Sequence, residues 1–295
     1  MLVDFHVHST ASDGSDSPAT IASKARHFAV VALTDHDNVD GLDEFMDAPV
    51  VPLSRNGSCR CRRIAGTELS IEPGEDFDRF HLLALGIDRK NKELQAFLGK
   101  IVAERNERNE RILQNFRRIG IEIDYRELEK YSGGNILARP HFARWLVDHG
   151  CAGSIIEAFD KYLLDDSPRE TRCFVERWRP PQEETFALIH RAGGIAVMAH
   201  PKYWRQVWKR TNDIDYPLVE RELHVLKEKG LDGIEAVYQA NTPEENFRFT
   251  EIADRIGLLK TAGSDYHGVV KLNITLGMNV EDEFIYPLLE RLNAK

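Results

Sequence analysis

Seven short apolar runs recur along the chain, and each contains or precedes a polar or charged residue. Several runs are continuous and do not alternate with polar positions, which is typical of strands that are buried on both faces of a sheet. The runs therefore predict seven β-strands. They are LVDF (2–5), AVVALT (29–34), RIAGT (63–67), FHLLALGI (80–87), GIAVMA (194–199), LDGIEAVY (231–238) and LLKTAGS (258–264).

Helical patterns separate many of these strands. The segment SPATIASKARHF (17–28) opens with a capping serine and a proline at the first helical position. A second segment, PPQEETFALIHRAGG (180–194), begins with proline and ends with a glycine pair. Segments 216–230 and 242–257 repeat this pattern. Short strands that alternate with helices predict a parallel sheet or a barrel.

The middle of the chain has a different pattern. Helical patterns dominate there, and the first of them, NKELQAFLGKIVAERNERNERILQNFRRIG, is long and heavily charged. Such a charge run is typical of a solvated helix face. We therefore predict that residues 1–90 and 190–295 form the α/β domain and that residues 91–189 form a helical insertion.

Composition limits what the protein is expected to bind. The 295 residues suffice for one large α/β domain with an insertion. The formal net charge is −9, which gives no overall attraction for a nucleic-acid backbone or an anionic membrane. No apolar stretch approaches the length of a membrane span, and no signal peptide is evident. We expect a cytoplasmic protein that acts on neither extended nucleic acid nor membranes.

Imidazoles and carboxylates are concentrated around the predicted strand ends. His6 and His8 follow the first strand two residues apart, so their side chains point to the same face. The carboxyl ends of parallel barrel strands form one face, which carries the chemistry of such barrels. The histidines associated with strands are His6, His8, His36, His81, His200 and His267, and the nearby acids are Asp13, Glu68 and Asp265. Of these histidines, His81 lies near the start of its strand.

This set of side chains predicts bound metal ions. Imidazole and carboxylate ligands without cysteine suit Zn²⁺, Mn²⁺ or Fe²⁺ better than Ca²⁺. Nine candidate ligands are too many for one ion, which favours two or three ions that share a bridging carboxylate and a water molecule. Clustered ions lower the pKa of a bridging water and hold both the attacking and the leaving oxygen. That chemistry is hydrolysis, most often of phosphate esters.

Six motifs together resemble the PHP (polymerase and histidinol phosphatase) family of metal-dependent phosphoesterases. They are FHVHSTASDGSDSP, LTDHDNVDG, GTELS, FHLLALGID, AHP and GSDYHG, and they span nearly the whole chain. The resemblance implies a distorted (β/α)7 barrel, which agrees with the seven predicted strands. It also implies three metal ions at the carboxyl face of the barrel.

The resemblance further implies which side chains bind each ion. The first ion would be bound by His6, His8, Glu68 and Asp265. Glu68 would bridge to a second ion bound by His81 and His200, and the third ion would be bound by Asp13, His36 and His267. All nine positions are filled, which argues against a non-catalytic member. We expect Glu68, Asp265 and His200 to be catalytic as well as metal-binding.

The segment LARPHFARWL (137–146) resembles the stand-alone PHP phosphoesterases that act on nucleotides such as AMP or 3′,5′-bisphosphates. In that subgroup the arginine of the motif contacts phosphate, which nominates Arg139 and suits a guanidinium fork. The alternative is that Arg139 pairs with a surface acid. His141 would contact substrate or pack within its helix, and Lys202 would reach the phosphate or be solvated. The insertion would act as a lid that admits only small substrates.

These expectations describe hydrolysis of a small phosphate ester by a metal-bridging hydroxide at a trinuclear centre. The favoured substrate is a phosphomonoester of a nucleotide or a related metabolite, and the alternative is a cyclic phosphodiester of a nucleotide or sugar. Less favoured is an amidohydrolase-type C–N hydrolase, which usually carries a bridging lysine where this chain has Glu68. A metal-binding protein without catalysis and a DNA exonuclease are also less favoured.

Overall fold

The computed structural model describes residues 1–49, 61–72, 80–131, 137–204 and 214–293. The chain divides into two units. The first comprises Met1–Phe97 and Arg179–Lys295, and the second comprises Leu98–Trp178. The domain boundaries inferred from the sequence, with a barrel in 1–90 and 190–295 and an insertion in 91–189, stay a prediction.

One sheet of eight strands forms within the described part of the first unit, in the order β7-β6-β5-β4-β3-β2-β1-β8. Seven strands coincide with the seven apolar runs. The eighth is a two-residue strand that pairs antiparallel with β1, and no apolar run marks it. The strands are β1 Leu2–Asp4, β2 Val30–Leu33, β3 Arg62–Ile71, β4 Phe80–Leu85, β5 Ile195–Met198, β6 Gly233–Tyr238, β7 Leu259–Gly263 and β8 Met278–Asn279.

The residues that follow β1 and β7 connect these two strands. Phe5 N donates to Ala262 O at 3.0 Å, and His8 N donates to Tyr266 O at 2.9 Å. Val7 and Tyr266 form a parallel bridge. The sheet therefore closes nearly into a barrel. The predicted α/β barrel class is confirmed, with a short eighth strand added beside β1.

Strand β4 runs antiparallel to both of its neighbours, whereas β1 to β3 and β5 to β7 pair in parallel. The sequence pattern predicted parallel neighbours, so this pairing is a correction. The physical reason is the connection between β3 and β4, residues 72–79, which is shorter than the dozen or so residues that a parallel crossover needs. The start of β4 therefore lies beside the carboxyl ends of β3 and β5. This reversal explains why His81, near a strand start, joins histidines that follow strand ends.

The predicted helices are observed, including the long charged helix, which is α3. Ser17 caps α1, since its hydroxyl accepts from Thr20 N at 3.2 Å. Helix α9 has a capping box between Thr242 and Glu245 and ends at Gly257 in the left-handed conformation. Within the described ranges the α-helices are α1 Pro18–Lys24, α2 Leu42–Asp47, α3 Lys92–Arg118, α4 Tyr125–Glu129, α5 Arg139–Asp148, α6 Ile155–Ala158, α7 Gln182–Arg191, α8 Tyr216–Glu228, α9 Pro243–Ile256 and α10 Asp282–Asn293.

Each unit has its own apolar core. In the first unit, Ile285, Leu288 and Leu292 lie on one face of α10 and pack in the same cluster as Val3 and Phe5 of the barrel. The core of the second unit joins the carboxyl half of α3 to α5 and to the residues that follow α6. Its members include Ile112, Leu113, Phe116, Phe142, Leu146 and Leu163. Within the described ranges, no helix is both long and apolar enough to cross a membrane.

The carboxylate of Asp4 links the end of β1 to the segments that follow β7. It accepts hydrogen bonds from Ser264 N at 3.0 Å, from Ser264 Oγ at 2.6 Å and from Gly277 N at 2.8 Å. The side chain is fully buried. Burial raises the pKa of Asp4 to about 6, although these hydrogen bonds act in the opposite direction.

Replacement of Asp4 by alanine is expected to destabilise the barrel, because it leaves the buried donors of Ser264 and the partly buried N–H of Gly277 without this acceptor. One such unpaired group costs about 1–3 kcal/mol, so we expect Asp4→Ala to lower the free energy of unfolding by at least about 2 kcal/mol. Urea unfolding curves would measure the loss. Ser264→Ala is the matched control, since it removes one hydroxyl donor and should cost less. Coincident curves for Asp4→Ala and the wild type would contradict the assignment.

Candidate metal centre

The barrel brings all nine predicted ligands to one edge. His6 and His8 follow β1, His36 follows β2, and Glu68 lies within β3. The remaining side chains come from the start of β4, from the residues that follow β5 and β7, and from the turn after His8. These are His81, His200, Asp265, His267 and Asp13.

Glu68 lies at the middle of the cluster and is almost fully buried. Burial alone would raise its pKa, but the neighbouring imidazoles hold the pKa well below its ordinary value. Its two carboxylate oxygens contact five different imidazoles. From Oε2 the distances are 3.3 Å to His6 Nε2, 3.2 Å to His8 Nε2 and 2.9 Å to His36 Nδ1, and from Oε1 they are 2.8 Å to His81 Nδ1 and 3.1 Å to His200 Nε2.

Asp13 lies close to a second group of imidazoles. Its Oδ1 lies 3.3 Å from His267 Nε2 and 3.8 Å from His8 Nδ1, and its Oδ2 lies 3.7 Å from His36 Nε2. The turn that carries Asp13 is fixed by Asp35, which accepts from Ser9 N at 2.7 Å. Ser9 Oγ and Ser12 Oγ donate to the same Asp35 carboxylate at 2.7 Å and 2.6 Å. Sequence analysis did not assign this role to Asp35.

The two oxygens of Asp265 face different surroundings. Oδ1 faces three imidazoles, at 3.6 Å from His6 Nε2, 3.4 Å from His8 Nε2 and 3.3 Å from His267 Nδ1. Oδ2 accepts from the hydroxyl of Tyr238 at 3.0 Å and from the ammonium of Lys271 at 2.6 Å. Sequence analysis missed both donors. Lys271 lies just beyond the GSDYHG motif, and nothing in its sequence context distinguishes it from a surface lysine.

The side chains fit divalent metal ions. His6 Nε2, His8 Nε2 and Glu68 Oε2 are buried atoms that have no hydrogen-bond partner in the described part of the chain. A bound cation would satisfy all three, and nitrogen and oxygen donors without sulfur suit Zn²⁺, Mn²⁺ or Fe²⁺. Ligand atoms within 4.8 Å of one another form three overlapping groups. They are His6, His8 and Glu68; His36, Glu68 and His81; and His8, Asp13, His36 and His267.

Two of the predicted ligands have unusual backbone conformations. His200 has φ 29° and Asp265 has φ 60°, in the left-handed region that residues other than glycine rarely adopt. Such strain is sustained only where surrounding contacts impose it, and it is frequent at functional sites. Asp265 N donates to His6 O at 2.9 Å, which joins the end of β7 to the residues after β1.

The residues predicted to bind substrate lie in different surroundings. Lys202 is mostly buried, and its ammonium donates to Glu245 Oε2 at 2.7 Å and to Ala240 O at 3.0 Å. In the second unit, Arg139 donates to Leu163 O at 3.1 Å. His141 is buried, and its Nδ1 accepts from Ala138 N at 3.0 Å. Contacts of these three residues with substrate stay predictions.

In the metal-free protein, His6 and His8 stay protonated at pH values above the ordinary pKa of histidine. Burial lowers the pKa of His8, but Asp265 and Glu68 outweigh it and raise the pKa to about 9. Burial acts in the same way on His6, whose pKa is raised well above the ordinary value by Glu235, Glu68 and Asp265. Carboxylates near an imidazole favour its charged form.

The pH dependence of the metal-free protein follows from these shifts. A histidine with a higher pKa in the folded state stabilises the fold below its unfolded pKa, and this stability is lost as pH rises through the folded pKa. We therefore expect the Tm of metal-free protein to fall between pH 6.5 and about pH 9. Calorimetry would measure it, with Mn²⁺-loaded protein as the control, in which ions replace the protons. A constant Tm without metal would contradict this account.

Known proteins are similar to this chain in sequence and in architecture. The PHP domain family matches residues 4–181. A 3′,5′-nucleoside bisphosphate phosphatase from Chromobacterium violaceum is 31% identical over 268 residues, which cover 90% of this chain and 87% of that protein. The 5′-3′ exoribonuclease Rnm from Salmonella typhimurium is 27% identical over 279 residues, which cover 90% and 85% of the two chains.

Among solved structures, an amidohydrolase from Chromobacterium violaceum with bound sulfate and no metal is similar to this protein. It aligns with a TM-score of 0.79 and 29% sequence identity, over 99% of this chain and 96% of that one. The family match covers more than half of the chain, and it confirms the resemblance inferred from the six motifs. The chain therefore belongs to the PHP domain family and is a metal-dependent phosphoesterase.

Proposed function

We propose that the protein hydrolyses a phosphomonoester of a nucleotide or a related small metabolite at a centre of two to three divalent metal ions. The observation that carries the proposal is the buried Glu68 carboxylate, which contacts five imidazoles at one edge of the barrel. The similarity to a nucleoside bisphosphate phosphatase along nearly all of the chain favours a nucleotide substrate.

The proposal keeps the division of ligands inferred from the family motifs. The overlapping groups around Glu68 and Asp13 support at least two separate ion positions. Bound divalent ions would supply an activated water near neutral pH and neutralise charge on the phosphoryl oxygens. The first ion would be bound by His6, His8, Glu68 and Asp265, the second by Glu68, His81 and His200, and the third by Asp13, His36 and His267.

The protein groups around this centre have distinct tasks. Glu68 and Asp265 are buried anions, and each has a pKa well below its ordinary value, so both are charged when the substrate binds. Lys271 places a half-exposed ammonium beside Asp265, at the margin of the cluster. A cation there would attract an anionic substrate toward an otherwise acidic protein.

An aromatic ring beside the centre supports a substrate that carries a planar base. Tyr203 follows β5, its ring centroid lies 5.7 Å from that of His200, and 48% of its surface is exposed. Stacking of a base on an aromatic ring is worth about 1–3 kcal/mol. We expect Tyr203→Ala to raise KM about tenfold for a nucleotide and to leave KM for ribose 5-phosphate unchanged. Tyr203→Phe is the control, and equal effects on both substrates would contradict base stacking.

The experiment that tests the proposal is a hydrolysis screen with Mn²⁺-loaded protein and a chelated control. The panel contains nucleoside monophosphates, 3′,5′-bisphosphates, cyclic phosphates, sugar phosphates, 5′-phosphorylated oligoribonucleotides and amides. We expect phosphate release to be fastest from a small nucleotide and to disappear after chelation. Degradation of oligoribonucleotides alone would instead indicate an exoribonuclease, and cleavage of amides alone would indicate an amidohydrolase. No hydrolysis of any compound would indicate metal binding without catalysis.

A further inference from the structure

Strand β6 supplies none of the nine predicted metal ligands, yet two of its side chains contact three of them. Glu235 contacts His6 and His200, and Tyr238 contacts Asp265. Glu235 is fully buried, and Tyr238 is nearly so. The apolar run LDGIEAVY predicted only a strand at this position.

The first contact fixes the orientation of an imidazole. His6 Nδ1 lies 3.1 Å from Glu235 Oε1 and 3.4 Å from Oε2, so Nδ1 donates to this carboxylate. The other ring nitrogen, Nε2, faces Glu68 at 3.3 Å and is therefore the nitrogen that would give up its proton to bind an ion. A carboxylate behind a metal-binding imidazole sets its tautomer and its ring orientation, and it raises the basicity of the ligating nitrogen.

The second contact holds a strained backbone. His200 N donates to Glu235 Oε2 at 2.7 Å. The φ of 29° at His200 is unfavourable for a side chain with a Cβ, and the short hydrogen bond to a buried carboxylate holds it in place. A single carboxylate therefore fixes two predicted ligands that the proposed function assigns to different ions.

An irregularity in β6 brings the side chain of Tyr238 to the side of the sheet on which Glu235 lies. Glu235 pairs with Thr261 and Val237 pairs with Ala262, so the register skips Ala236. In a regular strand, residues three apart point to opposite faces. The extra residue of a bulge shifts this alternation and re-aims the side chains that follow. The hydroxyl of Tyr238 consequently reaches Asp265 Oδ2, and Oδ1 faces the imidazoles.

The neighbouring strand leaves space for the Glu235–His6 pair. A Cβ added at Gly263, the last residue of β7, would lie 2.0 Å from Glu235 Oε1 and 2.6 Å from His6 Cβ. Both distances are shorter than side chains tolerate. The contact between Glu235 and His6 therefore requires a residue without a side chain at position 263. Substitution of Gly263 by alanine would disturb this contact without changing Glu235 or His6.

We infer that β6 is a positioning strand for the metal centre. Glu235 sets the orientation of His6 and the backbone of His200, and Tyr238 sets the orientation of Asp265, so the three ligands are preorganised before the ions bind. The inference rests on the proposed function only in taking these three residues as metal ligands. It adds two residues that determine metal affinity without contacting the substrate.

The test uses full-length protein reconstituted with Co²⁺, whose visible absorption reports the geometry of its ligands. Glu235→Gln keeps the shape of the side chain, but one oxygen becomes an NH₂ group, so the side chain no longer accepts from both His6 and His200. We expect metal affinity, measured by competition with a chelator, to fall about 10–100-fold and the Co²⁺ spectrum to change. Tyr238→Phe should change the spectrum and lower the affinity less.

Ile234→Val is the matched control, because this residue is buried in the same strand and the change removes only one methylene. Its affinity and spectrum should match those of the wild type. Gly263→Ala should reproduce the spectral change of Glu235→Gln. If Glu235→Gln does not fold, the Gly263→Ala and Tyr238→Phe variants test the inference in its place. Wild-type affinity and spectra in these variants, or an equal loss in Ile234→Val, would overturn the inference. These measurements need no substrate, so a failed hydrolysis screen would leave their outcome unaffected.

Discussion

Glu68→Gln is expected to lower kcat/KM for the best substrate of the screen by about three orders of magnitude. Glutamine keeps the volume of the side chain and removes its charge. Five imidazoles have this carboxylate as a neighbour within 3.3 Å, and the change removes the anion that the proposal shares between two ions. A loss of about 4 kcal/mol in transition-state stabilisation corresponds to this factor.

Rates should be measured together with bound metal, because loss of the carboxylate that is proposed to bridge two ions is expected to lower both. Circular dichroism would verify that the variant is folded. Glu72→Gln is a suitable control, since Glu72 lies just beyond β3, is half-exposed and pairs with Arg179 instead of the imidazoles. The assignment of Glu68 would fail if its glutamine variant kept wild-type rates and a full complement of metal.

Asp13→Ala and His267→Ala are each expected to reduce the rate by about two to three orders of magnitude, because they remove ligands of the proposed third ion. Asp13 Oδ1 and His267 Nε2 are 3.3 Å apart, so both changes act on one ion position. The fold should persist, because Asp35 and not Asp13 anchors the turn after β1.

Elemental analysis of these two variants should find one ion fewer per chain than in the wild type. Asp16→Ala serves as the control, since Asp16 lies in the same loop but pairs with Lys24 and Tyr266. Its rate should stay close to that of the wild type. Wild-type rates in Asp13→Ala or His267→Ala, with the ion at that position absent, would contradict the assignment.

The sequence predicted the parts of the site that depend on local pattern. A buried apolar run followed by His6 and His8 places two imidazoles on one face, and the same logic applies after β2, β5 and β7. His81 fitted this logic poorly, because its place depends on the reversed direction of β4. That reversal follows from the short connection of residues 72–79, a constraint of chain length and not of hydrophobic pattern.

Residues that orient the ligands could not be identified from the sequence. Glu235 and Tyr238 are three positions apart, and a regular strand would place them on opposite faces. The bulge that brings them together depends on pairing with β7, which no local pattern encodes. Lys202 illustrates the same limit, because its ammonium is held by Glu245, a residue that also caps a helix far along the chain.

The closure of the barrel between β1 and β7 also determines when the metal centre can form during synthesis. Asp4 and Ser264, which join these strands, are 260 residues apart in the chain. Contacts of such long separation form late in folding, and a growing chain folds from its amino end as it leaves the ribosome. His6 and His8 therefore emerge long before Asp265 and His267. The predicted ligand set is consequently complete only after His267 has been synthesised, and a chain that ends before Asp265 lacks part of that set.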